Sequence, residues 1–216
     1  MPTFDDRLRQ LFDEAADEEA LRCVSWMSEL LAETPSADAA LVGMERLLRA
    51  VPDRAALFRQ LAAAPRAIEV LLKVFAASPF LTEILLREPN LLTQLTQPQQ
   101  LRDLRSRPEF FDAAMSRVSS ATGIEQQATA LREFQHGELL RIGVCDFLGL
   151  FDLRSVTNQL SLLADAIVQA ALRIIDKLTR SASEGMGEMV PNAPSLALRV
   201  SLKTETHAFE IGRAHV

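Results

Sequence analysis

The sequence predicts an all-α fold: a compact, irregular bundle of short, proline-punctuated helices around two long ones, with the beginning of an α/β segment at the C-terminus. Three observations carry this. Apolar residues recur at steps of three and four through most of the 216 residues, the period of a helix face. Prolines at 52, 65, 79, 89, 98 and 108 stand where a helix would begin, since a first-turn residue needs no N–H partner. Alternation with period two appears only at Leu196, Leu198, Val200 and Leu202, a strand pattern.

Residues 4 to 33 read as one long or two shorter amphipathic helices. Leu8, Leu11 and Phe12 form one face, and Leu21, Val24, Met27, Leu30 and Leu31 the next. Asp13, Glu14, Asp17, Glu18 and Glu19 form a charge run suited to a solvated face or a helix junction. Ser36 is the expected N-cap of a helix over Ala39 to Val51 with Leu41, Met44, Leu47 and Leu48 inward. Pro52-Asp53 opens a short helix, and Pro65 opens one carrying Ile68, Leu71, Leu72 and Phe75. Ser78-Pro79 and Glu88-Pro89 repeat the signal, and Pro98 and Pro108 bracket another short helix. Arg102, Arg105 and Arg107 read as its solvated side. Ser119 to Gly123 is the loop before the central element.

That element spans Leu131 to Leu178 and reads as two long helices joined by a short turn. On the first, Leu131, Phe134, Ile142, Cys145 and Gly149 share one face, and Leu140, Val144, Phe147 and Phe151 form a second, nearly opposite. A helix apolar on two sides packs on two sides, which places it at the centre. Glu138 and Arg141 fall on the first apolar face, three residues apart and within reach of each other. Such a pair is either a structural ion pair fixing helix register or a functional one. With Arg132 and Asp146 on the same helix, these are the candidate structural or interface residues. The second helix opens at Asp152, with the expected inward stripe Leu153, Val156, Leu160, Leu163, Ile167, Ala170, Ile174 and Leu178.

Two blocks in this order carry a family resemblance. The first is Ser78-Pro79-Phe80-Leu81 with Leu85-Leu86-Arg87-Glu88-Pro89-Asn90-Leu91-Leu92. The second is Leu131-Arg132-Glu133-Phe134, Glu138-Leu139-Leu140-Arg141-Ile142, Asp146-Phe147-Leu148-Gly149-Leu150 and the run from Val156 to Ala166. They resemble the segment before the first nucleotidyltransferase domain of the glutamine synthetase adenylyltransferases, bifunctional bacterial enzymes that attach AMP to a tyrosine of glutamine synthetase and remove it. The resemblance covers roughly residues 40 to 178.

It implies ATP and Mg²⁺ for the parent enzyme, glutamine synthetase and a PII-type signal protein as partners, and a cytoplasmic place in the regulation of nitrogen assimilation. It implies AMP removal by phosphorolysis for the domain that follows. The organisation expected is an N-terminal helical region over 1–150, a long helix over 151–180 leading into that first nucleotidyltransferase domain, and a truncated loop and strand over 181–210. The remaining candidate partner is the missing catalytic domain itself. The last six residues, 211–216, translate the codons ATC GGA AGA GCA CAC GTC, a string within a common sequencing-adapter read. They are expected to be an artefact.

The chain's own chemistry is sparse. A nucleotidyl-transfer site needs metal-bound carboxylates to neutralise charge on phosphate, yet no Asp-x-Asp occurs. Gly185-Met186-Gly187-Glu188 lacks the lysine of a phosphate turn and precedes the strand pattern. His136, His207 and His215 have no metal-site spacing. No catalytic, cofactor-binding or metal-binding residue is assigned, and the segment alone is expected to be inactive.

Cys23 and Cys145 sit in helical patterns and read as reduced core residues. A net charge of -6 gives no basic footprint for nucleic acid. No apolar run reaches membrane-spanning length, and without tyrosine the chain is no target of tyrosine adenylylation. The alternative to the enzyme reading is a stand-alone helical protein-interaction module without catalysis.

Overall fold

A computed structural model describes residues 18–34, 36–95 and 101–187. Every element assigned among them is helical: α1 (Glu18–Ala32), α2 (Ala37–Ala50), α3 (Arg54–Ala63), α4 (Pro65–Ala77), α5 (Pro79–Arg87), a 3₁₀ turn (Pro89–Leu91), α6 (Leu92–Leu95), α7 (Arg107–Ser119), α8 (Ile124–Phe147) and α9 (Leu153–Gly187). The chain divides into two compact units, Met1–Leu172 and Arg173–Val216. In the second unit the described part is the end of α9.

The prolines sit where the sequence places them. Pro65, Pro79 and Pro89 open α4, α5 and the 3₁₀ turn, and Pro108 lies in the first turn of α7. The caps differ in kind. Asp53 accepts the Ala56 N–H and Ser78 accepts the Leu81 N–H, each satisfying an otherwise orphaned donor. Ser36 precedes α2 without a side-chain cap bond. Ahead of α7 the Glu109 carboxylate reaches back to the Ser106 N–H and hydroxyl, both at 2.7 Å. These bonds hold the Glu109 carboxyl below its ordinary range.

In the first unit, α4 packs on α1, α2, α3, α5 and α8. The inward residues expected of α2 and α4 are buried as read: Leu41, Met44, Leu47 and Leu48, with Ile68, Leu71, Leu72 and Phe75. Gly43 lets α2 and α4 approach closely, because a Cβ there would stand 2.5 Å from Phe75 Cγ. On α1 the buried row is Cys23, Met27 and Leu31, whereas Leu21 is exposed. Cys23, Met27 and Leu31 are thus inward as read, whereas Leu21 turns outward and Val24 and Leu30 are only half-buried.

Central α8 is packed on both sides, against α7 and against α4 and α5. Leu131, Phe134, Ile142 and Cys145 are buried on one face and Leu140 and Val144 on the other, whereas Phe151, expected on that second face, is buried beyond the end of the helix. Phe147 is only half-buried.

The turn out of α8 is fixed by backbone chemistry. Gly149, with φ of 63°, donates to the Asp146 carbonyl at 2.9 Å, and Leu150 donates to the Cys145 carbonyl at 2.8 Å. That is a Schellman ending, which needs a residue tolerant of positive φ. Asp152 then caps α9 through the Ser155 N–H at 2.8 Å.

Two expectations for α9 are corrected. Its buried row in the first unit is Val156, Gln159, Leu163, Ala166 and Ala170. Leu153 and Leu160 are exposed instead, and in the second unit Ile174 is buried while Leu178 is exposed. The helix also runs to Gly187, through the Ser181–Gly187 stretch read as a loop. Alanine, glutamate and methionine there favour helix, and glycine enters only in its last turn. The strand pattern at Leu196 to Leu202 and the terminal segment 211–216 lie outside the described residues, as do the first predicted helix face and Pro98.

Candidate functional site

The polar centre of the first unit is built from three pieces of chain. Helix α8 contributes Glu138, Arg141 and Cys145. The non-helical stretch 102–106 leads into α7, and α9 contributes Gln159. Glu138 and Arg141 are 7% and 4% exposed. Arg141 Nε donates to Glu138 Oε2 at 2.8 Å, one helical turn away as the spacing predicts.

The pair has a third member. Arg105 Nη1 donates to Glu138 Oε1 at 2.6 Å, so the carboxylate lies between two guanidinium groups. The surplus positive charge is met by carbonyl oxygens: Arg141 Nη1 donates to Leu101 and Asp103 at 3.2 and 2.8 Å. Both guanidinium groups also stand over the fully buried Phe110 ring, 5.9 and 6.0 Å from its centre, within the range of cation–π attraction.

Gln159 closes the cluster from α9. Its Nε2 donates to the Arg105 carbonyl at 2.7 Å, and its Oε1 accepts the Arg105 N–H at 3.0 Å. The side chain thus pairs with one residue's backbone as a neighbouring strand would. Arg141 Nη2 donates to the same Oε1 at 3.3 Å. The Cys145 thiol donates to the Leu101 carbonyl at 2.9 Å, and burial pushes its pKa up against the opposing pull of Arg141 and Arg102. A thiol kept protonated is a poor nucleophile.

Of the four candidates read from the sequence, the structure brings Glu138 and Arg141 together. Arg132 is exposed and donates to the Thr129 hydroxyl on its own helix at 3.4 Å, and Asp146 is exposed near the end of α8. The cluster's other members escaped sequence reasoning. Arg105 reads as one of three solvated arginines, yet its guanidinium is drawn inward to Glu138. Arg107 pairs with Asp165 at the surface. Gln159 interrupts an otherwise apolar row, and that polar residue in a helix stripe was the available signal. A second pair, Glu88 with His136, joins the corner after α5 to α8.

Chemically, the buried part of the cluster is closed on itself, and only the Arg105 side chain stays partly exposed. Glu138 is held by two arginines, Arg141 spends its donors on Glu138, two carbonyls and Gln159, and Gln159 spends its amide on Arg105. Among the described residues no group of three or more histidine, cysteine, aspartate or glutamate side chains is placed to hold a metal ion. No described helix is long and apolar enough to cross a membrane.

A family model described as glutamate-ammonia ligase adenylyltransferase matches residues 68–198. Among curated proteins, the bifunctional glutamine synthetase adenylyltransferase/adenylyl-removing enzyme of Idiomarina loihiensis is 35% identical over 159 residues, 69% of this chain and 16% of the relative. The proteins of that name from Vibrio parahaemolyticus and Chromobacterium violaceum are 34% and 30% identical, covering 71% and 67% of this chain. The chain spans only 16% of the length of each of these relatives. No solved structure matches it significantly.

Proposed function

The chain belongs to the glutamate-ammonia ligase adenylyltransferase family, and from that premise we propose that it is a helical, non-catalytic part of an enzyme that adenylylates and deadenylylates glutamine synthetase. Its work is to hold helices in register beside chemistry done elsewhere in the polypeptide. The observation that carries this reading is the closed cluster of Glu138, Arg141, Arg105 and Gln159. It joins three chain segments and engages the Glu138 carboxylate, the Arg141 guanidinium and the Gln159 amide with one another, leaving only the Arg105 side chain partly exposed. Buried charges so fully mutually engaged specify an arrangement; catalytic ones must keep a face toward the reacting atoms.

ATP and Mg²⁺ belong, in this reading, to the parent enzyme. The residues of this chain do not fit them, since it contains no Asp-x-Asp and its described carboxylates form no metal-holding group. No step of the transfer is assigned to it. Glutamine synthetase is the parent's protein substrate, a PII-type protein its signal, and the cytoplasm its compartment.

A direct assay separates scaffold from catalyst. The purified chain is incubated with radiolabelled ATP, Mg²⁺ and glutamine synthetase, and separately with adenylylated glutamine synthetase and phosphate. The expected result is no AMP transfer and no AMP release above the protein-free control. Turnover in either direction that scales with the chain's concentration overturns the non-catalytic assignment.

A further inference from the structure

Ahead of α7, residues 102–106 lie outside any helix. Residues 102–105 make no backbone–backbone hydrogen bond with any other described residue. Backbone groups turned inward need partners, and here side chains supply them. Arg141 donates to the Leu101 and Asp103 carbonyls, and the Cys145 thiol donates to the Leu101 carbonyl. Gln159 both donates to and accepts from the Arg105 backbone. Glu109 accepts the Ser106 N–H. The stretch is held from the side by three helices, α7, α8 and α9.

Little apolar area adds to these bonds. Leu101 is buried at one end of the stretch, and Phe110 is buried beyond the other, on α7. Between them Arg102, Asp103 and Ser106 are exposed, Arg105 is partly so, and Leu104 is 58% exposed. A segment opens at a cost set by its own contacts, and one with few buried apolar side chains opens more readily than the core. Opening here strands no charge either. Glu138 and Arg141 keep the 2.8 Å bond to each other and gain water in place of the backbone. What changes is the joint between two helices. Closed, the stretch gives α8 and α9 a shared partner. Open, it leaves between them the one direct hydrogen bond of the cluster, from Arg141 to Gln159 at 3.3 Å.

We propose that residues 101–106 form a strap that opens as a unit while the surrounding helices stay folded, and that its closing fixes α9 against α8. When it opens, water reaches Arg141, Gln159 and Cys145. The strap makes the polar centre a joint with two states, set by side-chain bonds to one short piece of backbone. This inference stands on the local geometry and does not depend on the family reading.

The two cysteines test it within one molecule. Cys145 lies under the Leu101 end of the strap, whereas Cys23 lies in the apolar core with its thiol against the Phe58 carbonyl. The 216-residue chain is pulsed with iodoacetamide over a urea series below the unfolding transition, and each cysteine is read by peptide mass spectrometry. Without urea, Cys145 is expected to react at least about tenfold faster than Cys23, with a urea dependence much shallower than that of global unfolding, the mark of a local opening. The Arg105 amide, bound to Gln159 Oε1, should exchange its hydrogen by the same shallow route.

Gln159→Leu removes both bonds to the Arg105 backbone and should raise the Cys145 rate more than the Cys23 rate. Arg105→Ala, at a partly exposed site, should do the same, and it keeps the comparison readable if the leucine variant fails to fold. Leu71→Ala, in the core of α4, should do the reverse. A Cys145 rate that climbs with urea as steeply as global unfolding overturns the proposal, because the strap then opens only with the whole fold. So does a Cys145 no faster than Cys23, or substitutions at 159 and 105 that change both cysteine rates by the same factor.

Discussion

Where α2 meets α4, the contact is apolar throughout: Leu41, Met44, Leu47 and Leu48 lie against a helix burying Ile68, Leu71, Leu72 and Phe75, with Gly43 setting the distance. Where α8 meets the 102–106 stretch and α9, the contact is held by Glu138, Arg141, Arg105 and Gln159 around Phe110. The first region is stabilised by area, which tolerates many apolar sequences of similar volume. The second is stabilised by matched partners, and removal of one leaves a buried partner short of a bond. Fold stability can thus be spread over one region while register is fixed at a few atoms of the other.

The sharpest way to break this contrast is to remove one charge. Arg141→Met or Glu138→Gln alone is expected to destabilise by about 3–5 kcal/mol, the usual penalty for stranding a buried charge. The double change should fall well short of the sum. Glu138→Gln should be the worse single change, because it strands two guanidinium groups, although Arg105 is partly exposed and can recover water. A urea double-mutant cycle measures the coupling, and strict additivity would reduce the cluster to independent contacts.

Apolar truncations come next. Ile142→Ala on α8 and Leu71→Ala on α4 are each expected to cost about 2–5 kcal/mol, since both sites are almost fully buried. Phe147→Ala should cost less than either, because Phe147 is half-buried. A melt in which Phe147→Ala proved the most damaging would show that the second face of α8 matters more than its exposure indicates.

The glycines sharpen the comparison further. A Cβ at Gly43 meets Phe75 Cγ and Cβ at 2.5 and 2.6 Å, atoms close to the backbone of α4. Gly43→Ala should therefore force the helices apart, for about 1–3 kcal/mol. A Cβ at Gly143 meets Leu81 Cδ1 at 2.5 Å, with the next atom 3.7 Å away. A rotamer change of Leu81 relieves that contact, so Gly143→Ala should lower Tm less than Gly43→Ala does.

The smallest effect is expected at the start of α9. Hydrogen bonds from the Ser155 side chain, then its backbone N–H, hold the Asp152 carboxyl below its ordinary range. A lowered folded-state pKa adds stability above the unfolded carboxylate pKa and loses it as pH falls through the folded value. Acid should thus loosen this cap in the wild type, whereas Asp152→Asn should flatten that part of the profile, as amide exchange at Ser155 across the acid range would report.

What the sequence determined by itself was local. Helix period, proline position and small polar residues before apolar runs locate most of the helices, because backbone geometry and caps involve neighbours only a few residues apart. The Glu138–Arg141 pair is legible for the same reason, since one helical turn brings the two together, whereas Gly149, read as part of a helix face, ends α8 instead. The rotation of α9 about its own axis was decided by tertiary structure. Leu160 and Gln159 stand side by side in sequence, and apolarity favours Leu160. Gln159 turns inward because the Arg105 backbone, 54 residues away, offers both a donor and an acceptor at its amide. Arg105 comes inward through Glu138, 33 residues away, and Gly43 is essential only where Phe75 closes over it. Periodicity specifies that a helix has a buried face, but a polar side chain earns its place on that face only from partners that folding brings from elsewhere in the chain.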